Sequence, residues 1–289
     1  MGRFPSSEQS VPSGAPPRTV APFPFIRLNA GMTRDEQWLL EEKYGGDLRN
    51  PHFEKDRDRL AQGEPVAYVI GWQPFLGLRI YLDSHPLIPR PETEWWVKKL
   101  LDEVTTIYSS VSTPIRFLDL CAGSGAIGCA MLQAFPTAEV YFGEIDPTHE
   151  ATIRTNIREN GLDGFDELTT GESRAHVSIG NLFAPFPADL HFNVIACNPP
   201  YIPIGRQLPT SITDYEPAGA LYSGEDGLGL IRRIAAELPA RLAPGGVAWI
   251  ECDALSAGQA CCLFEEAGMR AKVMQDQYGM PRVIVVSFP

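Results

Sequence analysis

The stretch Asn193-Val-Ile-Ala-Cys-Asn-Pro-Pro-Tyr201 joins a short apolar run to an abrupt stop. Val194 to Cys197 has the length and β-branched content of a buried strand. Pro199 and Pro200 lack the amide hydrogen that a β-ladder needs, so the strand must end before them. Open α/β sheets bind ligands at the carboxyl ends of their strands, and this stretch therefore predicts a ligand site there.

The residues after the strand suit one kind of ligand, a planar NH2 group. The side-chain oxygen of Asn198 and the carbonyl of Pro199 can accept its two hydrogens. Acceptors already in place would stabilise charge that develops on such a nitrogen as it attacks. Tyr201 offers a ring face on which the planar group can stack. A Pro-Pro turn that only closes a strand fits the same residues, so the tetrapeptide alone leaves both interpretations open.

A second junction of strand and turn lies upstream, at Asp119-Leu-Cys-Ala-Gly-Ser-Gly-Ala-Ile-Gly128. Gly123 and Gly125 permit tight backbone angles and a close approach of a ligand to the main chain. Dinucleotide-binding folds also use a glycine-rich turn. Asp119 precedes the glycines at the strand end, and this favours a ligand with an ammonium group over a pyrophosphate, which requires donors and positive potential.

The next predicted strand, Glu139 to Glu144, ends in an acid about twenty residues after the glycines. A carboxylate there can accept from both hydroxyls of a ribose. Asp146, ahead of Pro147, could instead cap a helix, so we assign the ribose to Glu144. The later turn Gly180-Asn-Leu-Phe183 suits the edge and face of an adenine ring.

Composition is that of an ordinary globular protein, with 44% hydrophobic and 21% charged residues in a chain of 289. The formal net charge of −12 provides no global basic field for a phosphate backbone. No apolar run is long enough to span a bilayer. The six cysteines form no CxxC pair. We expect them to be small buried side chains, and we assign no metal site.

Three regions are predicted along the chain. Residues 1–31 are rich in proline and small residues, which predicts a disordered tail, with an organelle-transit segment as the lesser alternative. Residues 32–83 predict a short helical region and a β-hairpin linker. From residue 84 to 289 strands and helices alternate, which predicts a doubly wound α/β domain.

Several local elements follow from the same patterns. Helices are predicted over Thr33–Tyr44 and Pro51–Gln62, and both are too small to form a core of their own. The hairpin is predicted around Gly71 and Gly77. A polar loop is predicted over Leu162–Arg174. A helix is predicted to begin at Pro91, and its apolar face consists of Trp95, Val97, Leu100 and Leu101. A long loop is predicted over Ile202–Gly224. A helix over Asp226–Leu242 and a turn at 244–246 are predicted to precede strand Val247–Cys252.

Taken together, the motifs resemble the HemK/PrmC-like peptide chain release factor glutamine methyltransferases. The motifs occur in the order Gly63-Glu-Pro-Val-Ala-Tyr-Val-Ile-Gly71, Ile88-Pro-Arg-Pro-Glu-Thr-Glu94, the glycine-rich loop, and Asn198-Pro-Pro-Tyr201. Adenine-modifying DNA and RNA enzymes share the last motif. Its combination with Arg-Pro-Glu-Thr-Glu and Tyr215-Glu-Pro217 is more specific, and the resemblance covers about residues 63 to 289.

The resemblance implies a class I S-adenosylmethionine-dependent methyltransferase fold, which is Rossmann-like with a seven-stranded, mostly parallel sheet. It implies transfer of a methyl group to the glutamine of a release factor's Gly-Gly-Gln tip, with S-adenosylhomocysteine as product. The implied cofactor-binding residues are Asp119, Cys121, Ala122, Gly123, Ser124, Gly125, Glu144, Asn181, Leu182 and Asn198. The implied catalytic residues are Asn198, Pro199 and Tyr201, and the implied substrate-binding residues are Asn198, Pro199, Pro200, Tyr201 and Glu216.

The chain departs from the family pattern at three points. Glu144 stands where an Asp is usual, which should keep the ribose contact with a longer reach. Asn181 also stands where an Asp is usual, so we expect a weaker contact with the adenine amino group. The amino-terminal domain is much shorter than the family's helical bundle, which leaves open how a release factor docks.

Two other functions stay open on the sequence alone. A nucleic-acid base methyltransferase would use the same step on adenine or guanine, although the acidic balance argues against it. A degenerate fold kept as a binding scaffold is disfavoured by the intact Asp119, Gly123, Gly125, Glu144 and Asn198. We expect a release factor as partner, no membrane and no direct nucleic-acid substrate. We also expect a monomer in the cytoplasm, with the mitochondrial matrix as the lesser alternative.

Overall fold

The computed structural model of the chain describes residues 29, 31–108, 114–162 and 173–289. The predicted tail over residues 1–31 lies outside the described residues except for positions 29 and 31, and so does most of the predicted loop over Leu162–Arg174. Within the described ranges every helix is too short or too polar to cross a membrane.

The amino-terminal region forms three helices and a β-hairpin. These elements are α1 (Arg34–Tyr44), α2 (Phe53–Ala61), α3 (Val66–Ile70), β1 (Trp72–Phe75) and β2 (Leu78–Tyr81). Thr33 and Glu36 cap α1 reciprocally, since each side chain accepts from the backbone amide of the other residue. The two predicted helices and the hairpin are thus confirmed. Helix α3 was not predicted, because its sequence Val-Ala-Tyr-Val-Ile is β-prone.

A small apolar cluster holds this region together. Trp38, Leu39 and Leu40 are the buried apolar residues that α1 contributes to it. The cluster consists of Trp38, Leu39, Leu40, Phe53, Val69, Ile70 and Trp72. Helix α3 and the hairpin provide the partners that α1 and α2 alone would lack.

The rest of the chain is built on a seven-stranded sheet. Its strands are β3 (Arg116–Leu120), β4 (Glu139–Glu144), β5 (Ala175–Ile179), β6 (Phe192–Cys197), β7 (Leu242–Glu251), β8 (Arg270–Gln275) and β9 (Pro281–Ser287). The spatial order is β5-β4-β3-β6-β7-β9-β8, and only β9 runs antiparallel to its neighbours. The predicted fold class is confirmed. The order reverses between β3 and β6, which places a topological switch point at their carboxyl ends.

Helices cover both faces of this sheet. They are α4 (Pro91–Tyr108), α5 (Ala126–Ala134), α6 (Glu150–Glu159), α8 (Gly229–Glu237) and α9 (Ala257–Glu266). The short helix α7 (Thr210–Thr213) lies in the loop after β6 and has no buried residue. Helices α4, α5 and α6 share one apolar core with the sheet, and α8 and α9 share the other. Strand β6 contributes alternate side chains to the two, Val194 and Ala196 to the first and Ile195 and Cys197 to the second.

Three local predictions need correction. In α4 the fully buried tryptophan is Trp96 and not Trp95, because Trp96 shares the inward stripe with Val97, Leu100 and Val104. The helix predicted over Asp226–Leu242 is α8 followed by a 3-10 turn, and Leu242 already belongs to β7. The predicted turn at 244–246 lies inside β7, where the pairing with β6 shifts register.

Two asparagines, Asn156 in α6 and Asn160 directly after it, join the hairpin to the main domain. Asn156 Oδ1 accepts from the Tyr81 amide at 2.6 Å, and its Nδ2 donates to the Tyr81 carbonyl at 3.0 Å. Asn160 makes the corresponding pair with Arg79, at 3.0 and 2.9 Å. These side chains satisfy the edge of β2 much as another strand would. The segment after the hairpin, which leads into α4, is therefore held close to the end of the sheet.

Candidate active site

The turn after β3 is built to expose its backbone. Cys121, Gly123 and Gly125 all have positive φ, at 62°, 54° and 77°. Gly128 then allows α5 to pack closely on β4, because a Cβ at this position would lie 2.2 Å from Phe142 Cε1. The resulting tight curve brings Cys121 and Gly123 to the wall of a cavity.

That cavity has a volume of about 350 Å³, which lies within the range of small-molecule sites. It opens at the carboxyl ends of β3, β4 and β6, at the switch point of the sheet. Of the predicted site residues, those that line it are Cys121, Gly123, Glu144, Asn181, Leu182, Asn198 and Pro200.

Glu144 is a buried acid that lines this cavity, and its carboxylate also accepts a hydrogen bond from the glycine-rich turn after β3. Its Oε2 accepts from the Gly123 amide at 2.7 Å, and its Oε1 accepts from the amides of Ile145 and Asp146 at 2.8 Å each. A carboxylate has about four lone-pair positions, so one remains for a ligand without rearrangement. The longer Glu side chain thus holds the glycine turn as well as facing the cavity.

Asn181 and Leu182 form another wall. Leu182 is buried with a positive φ of 49° and presents an apolar surface. Arg233 of α8 donates to Asn181 Oδ1 at 3.0 Å. The amide oxygen that could accept from an adenine amino group therefore already accepts from one donor.

A second, smaller cavity of about 140 Å³ adjoins the first. Pro199 and Tyr201 line it together with Arg90. Asn198 lines both cavities, and so do Leu87 and Ala220. The predicted Asn-Pro-Pro-Tyr step therefore stands between two spaces, with Asn198 at their junction.

Behind Asn198 lies a buried carboxyl group, Glu251, at the end of β7. Its Oε2 accepts from Thr93 Oγ1 and Trp96 Nε1, both at 2.7 Å, and its Oε1 accepts from the Tyr201 hydroxyl at 2.9 Å. Asn198 Nδ2 in turn donates to Thr93 Oγ1 at 3.3 Å. Cys197 pairs with Ile250 in the sheet, so Asn198 and Glu251 follow at adjacent strand ends.

The buried environment raises the pKa of both the Glu251 carboxyl and the Tyr201 phenol. Burial raises the pKa of the Glu251 carboxyl, and its three donors oppose that rise. Burial and the neighbouring Glu251 raise the pKa of the Tyr201 phenol well above its usual value. Tyr201 is therefore a neutral hydrogen-bond donor, and its ring lines the smaller cavity.

Glu216 lines neither of these two cavities, but it lines a third one together with Ile88 and Arg90. Its side chain is 1% exposed and accepts from Arg90 at 2.5 Å and from the Ile88 amide at 3.2 Å. Glu216 therefore ties the Arg-Pro-Glu-Thr-Glu segment to the loop after β6 and supports the site from behind.

Asp119 is also placed differently from its prediction. It is fully buried, and its Oδ2 accepts from the Gly128 amide at 2.8 Å. Its Oδ1 has no hydrogen-bond partner among the described residues, and burial raises the pKa of the carboxyl. Asp119 lines neither cavity, so it supports the turn rather than a ligand's ammonium group.

The other residues of the turn that were predicted to bind the cofactor lie behind the cavity wall. Ala122, Ser124 and Gly125 line neither cavity. The Ser124 carbonyl accepts from Asn156 Nδ2 at 2.8 Å, which links the turn to the same side chain that holds the hairpin. These residues shape the wall that Cys121 and Gly123 present.

Sequence reasoning missed Glu251, Thr93 and Trp96 as parts of the site. One signal was available for Glu251, which ends a buried strand beside that of Asn198. Thr93 lay inside a quoted motif, but nothing local indicated its partners. Arg90 and Arg233 were missed for the same reason.

The described part of the chain contains no group of three or more His, Cys, Asp or Glu side chains that could hold a metal ion. All six cysteines lie within the described residues, and none of them forms a disulfide. Cys129, Cys197 and Cys252 are buried as predicted, whereas Cys262 is exposed.

Comparison with known proteins agrees with this arrangement. The family model "Methyltransferase small domain" matches residues 98–214. The release factor glutamine methyltransferase of Rhodopirellula baltica is 31% identical over 258 residues, which cover 88% of this chain and 84% of that protein. That of Bordetella pertussis is 32% identical over 258 residues, which cover 87% of this chain and 89% of that protein.

A solved structure is also similar in sequence. It is the protein-(glutamine-N5) methyltransferase (release factor-specific) of Alicyclobacillus acidocaldarius, with 25% identity. The match covers 72% of this chain and 97% of that one, with a TM-score of 0.39.

Proposed function

The chain belongs to the family of release factor glutamine methyltransferases, and on that premise we propose that it methylates the side-chain amide of a glutamine in a peptide chain release factor. The methyl donor is S-adenosylmethionine and the product is S-adenosylhomocysteine. The target is the glutamine of the Gly-Gly-Gln tip. One observation supports this above all others, the position of Asn198 at the junction of the two cavities.

The lining of the larger cavity fits S-adenosylmethionine. Glu144 has an acceptor position left for a ribose hydroxyl, and Leu182 offers an apolar surface for the adenine. Cys121 and Gly123 would lie along the methionine part. Bound there, S-adenosylmethionine would supply an electrophilic methyl group. The amide nitrogen would gain this methyl group and lose one proton to solvent, and the sulfur would keep the electron pair of the broken bond.

The residues at the junction act by position. Asn198 Oδ1 and the Pro199 carbonyl accept the two hydrogens of the glutamine amide and hold its nitrogen toward the larger cavity. The same acceptors stabilise the positive charge that develops on this nitrogen during attack. Tyr201 forms the wall of the smaller cavity against which the flat amide lies. No covalent enzyme intermediate is needed.

The smaller cavity has a volume of about 140 Å³, and we propose that it takes the glutamine side chain. The net charge of −12 disfavours a nucleic-acid partner. We therefore propose a monomer that acts on a release factor in the cytoplasm, with no nucleic-acid substrate and a methyltransferase domain over residues 84–289.

The test is methyl transfer from labelled S-adenosylmethionine to a purified release factor, beside a release factor with the tip glutamine changed to alanine. We expect label on the first protein and none on the second. Equal labelling of both would refute the assigned target. Labelling of added RNA or DNA, with the release factor unlabelled, would instead establish the nucleic-acid alternative.

A further inference from the structure

We propose that Thr93 and Glu251 are positioning residues that fix which way the Asn198 amide faces, so that its oxygen and not its NH2 meets the substrate. This inference rests on the proposed function, because it concerns how the glutamine amide is held. It begins with the direction of the hydrogen bonds behind Asn198.

Glu251 Oε2 must be an acceptor. The indole Nε1 of Trp96 can only donate, and it lies 2.7 Å from this oxygen. In its ionised form Glu251 has no hydrogen to donate, so Oε2 accepts from Thr93 as well as from Trp96.

Thr93 then has one possible orientation. Its hydroxyl has a single hydrogen, which points to Glu251 Oε2 at 2.7 Å. Only lone pairs remain on Thr93 Oγ1 for the Asn198 amide, 3.3 Å away. A second acceptor at that place would be repelled, so Asn198 must present its Nδ2 to Thr93.

The consequence lies on the other side of the amide. With Nδ2 turned to Thr93, Asn198 Oδ1 faces away from it, and no described residue donates to that oxygen. A flipped amide would present NH2 to the NH2 of glutamine, which places donor against donor. The chain from Glu251 through Thr93 thus excludes the unproductive orientation.

Tyr201 strengthens the same arrangement. Its hydroxyl donates to the other oxygen of Glu251, and Thr93 and Trp96 come from the first turns of α4. One buried carboxyl group therefore holds both ends of the Asn-Pro-Pro-Tyr step against α4. It touches neither the larger nor the smaller cavity itself.

The test compares Thr93→Val, which has nearly the same shape but no hydroxyl, with Thr93→Ser, which restores it. Thr105→Val is the matched control, since Thr105 is exposed on the same helix and bonds only to its own helix carbonyl. Single-turnover methylation of the release factor is measured at saturating S-adenosylmethionine, together with the dissociation constant of S-adenosylmethionine. A thermal melt shows that each variant is folded, and Thr93→Ala replaces Thr93→Val if the latter is not.

We expect Thr93→Val to lower the single-turnover rate by about tenfold, since one hydrogen bond to the positioning group is lost. The cofactor dissociation constant should change by less than about twofold, because Thr93 does not line the larger cavity. Thr93→Ser should restore the rate. In an Asn198→Ala background Thr93→Val should cause no further loss, because its effect passes through Asn198.

Three results would overturn the inference. These are a Thr93→Val rate equal to wild type, a failure of Thr93→Ser to restore a lost rate, and a full additional loss in the Asn198→Ala background. A wild-type protein that does not methylate a release factor would overturn the proposed function as well. The two failures are therefore told apart by the wild-type reaction.

Discussion

The two ends of the site are held together by different kinds of hydrogen bond. At the cofactor end, the main interactions involve backbone amides, which donate to Glu144 and Asp119 around a turn with positive φ angles. At the substrate end, side chains bind to one another around Glu251. Backbone amides remain available as donors when a side chain is substituted. By contrast, a single substitution at Glu251 removes the acceptor that its side-chain partners share. We therefore expect point substitutions to have larger effects at the substrate end.

The largest effect should follow from Glu251→Ala. The substitution leaves Thr93, Trp96 and Tyr201 without their shared acceptor in the protein interior. Each unsatisfied buried donor costs roughly 1–3 kcal/mol. The free energy of unfolding should fall by about 3 kcal/mol or more, as measured by urea denaturation.

Glu251→Gln is the matched control for that loss. Its side-chain oxygen can still accept from Thr93 and Trp96, and its NH2 can donate to the Tyr201 hydroxyl. We expect it to lose much less stability than Glu251→Ala. Two variants of equal stability would contradict the view that this end depends on a shared acceptor.

At the cofactor end the sensitive positions should be glycines, and Gly128→Ala is the sharpest case. The new methyl group would lie 2.2 Å from the Phe142 ring, so α5 must move away from β4. Overpacking of this kind costs about 1–3 kcal/mol. Urea denaturation should show the loss, accompanied by weaker binding of S-adenosylmethionine.

Gly258→Ala provides the comparison. Gly258 lies in α9 with no atom within 4 Å of an added Cβ, so alanine should stabilise the protein through its helix propensity, by up to about 1 kcal/mol. Equal effects of the two substitutions on the free energy of unfolding would show that close packing beneath the turn is not the reason why position 128 needs a glycine.

The smallest effect is expected for Glu144→Gln. The amide keeps one acceptor oxygen, but its NH2 would face one of the three backbone donors that the carboxylate now accepts from. Loss of about one hydrogen bond corresponds to roughly fivefold weaker binding of S-adenosylmethionine, measured by calorimetry. Glu139→Gln, at the other end of β4, is the control. Unchanged affinity in Glu144→Gln would remove this acid from the cofactor site.

The same contrast explains what the sequence could predict. The strand ends, the glycine turn and the step at Asn198 could be predicted, since a strand, its stop and its glycines are neighbours in the chain. The direction of a side chain at a strand end is not local information. Asp119 lies one residue before the end of β3 and Glu144 is the last residue of β4, yet of the two only Glu144 lines the cavity.

The substrate end was harder because its partners are distant in sequence. Thr93 and Glu251 are separated by 158 positions, and Arg90 and Glu216 by 126. No periodicity or spacing connects such pairs. The contact between Glu216 and Arg90 was therefore not predicted, and Glu251 was not considered.

The most direct measurement is the single-turnover methylation rate of Asn198→Ala on a release factor, at saturating S-adenosylmethionine. We expect the cofactor dissociation constant to stay within several-fold of wild type while most of the transfer rate is lost, because the amide has lost an acceptor that holds it. A rate close to that of wild type would contradict the assignment of Asn198 as the residue that holds the glutamine amide.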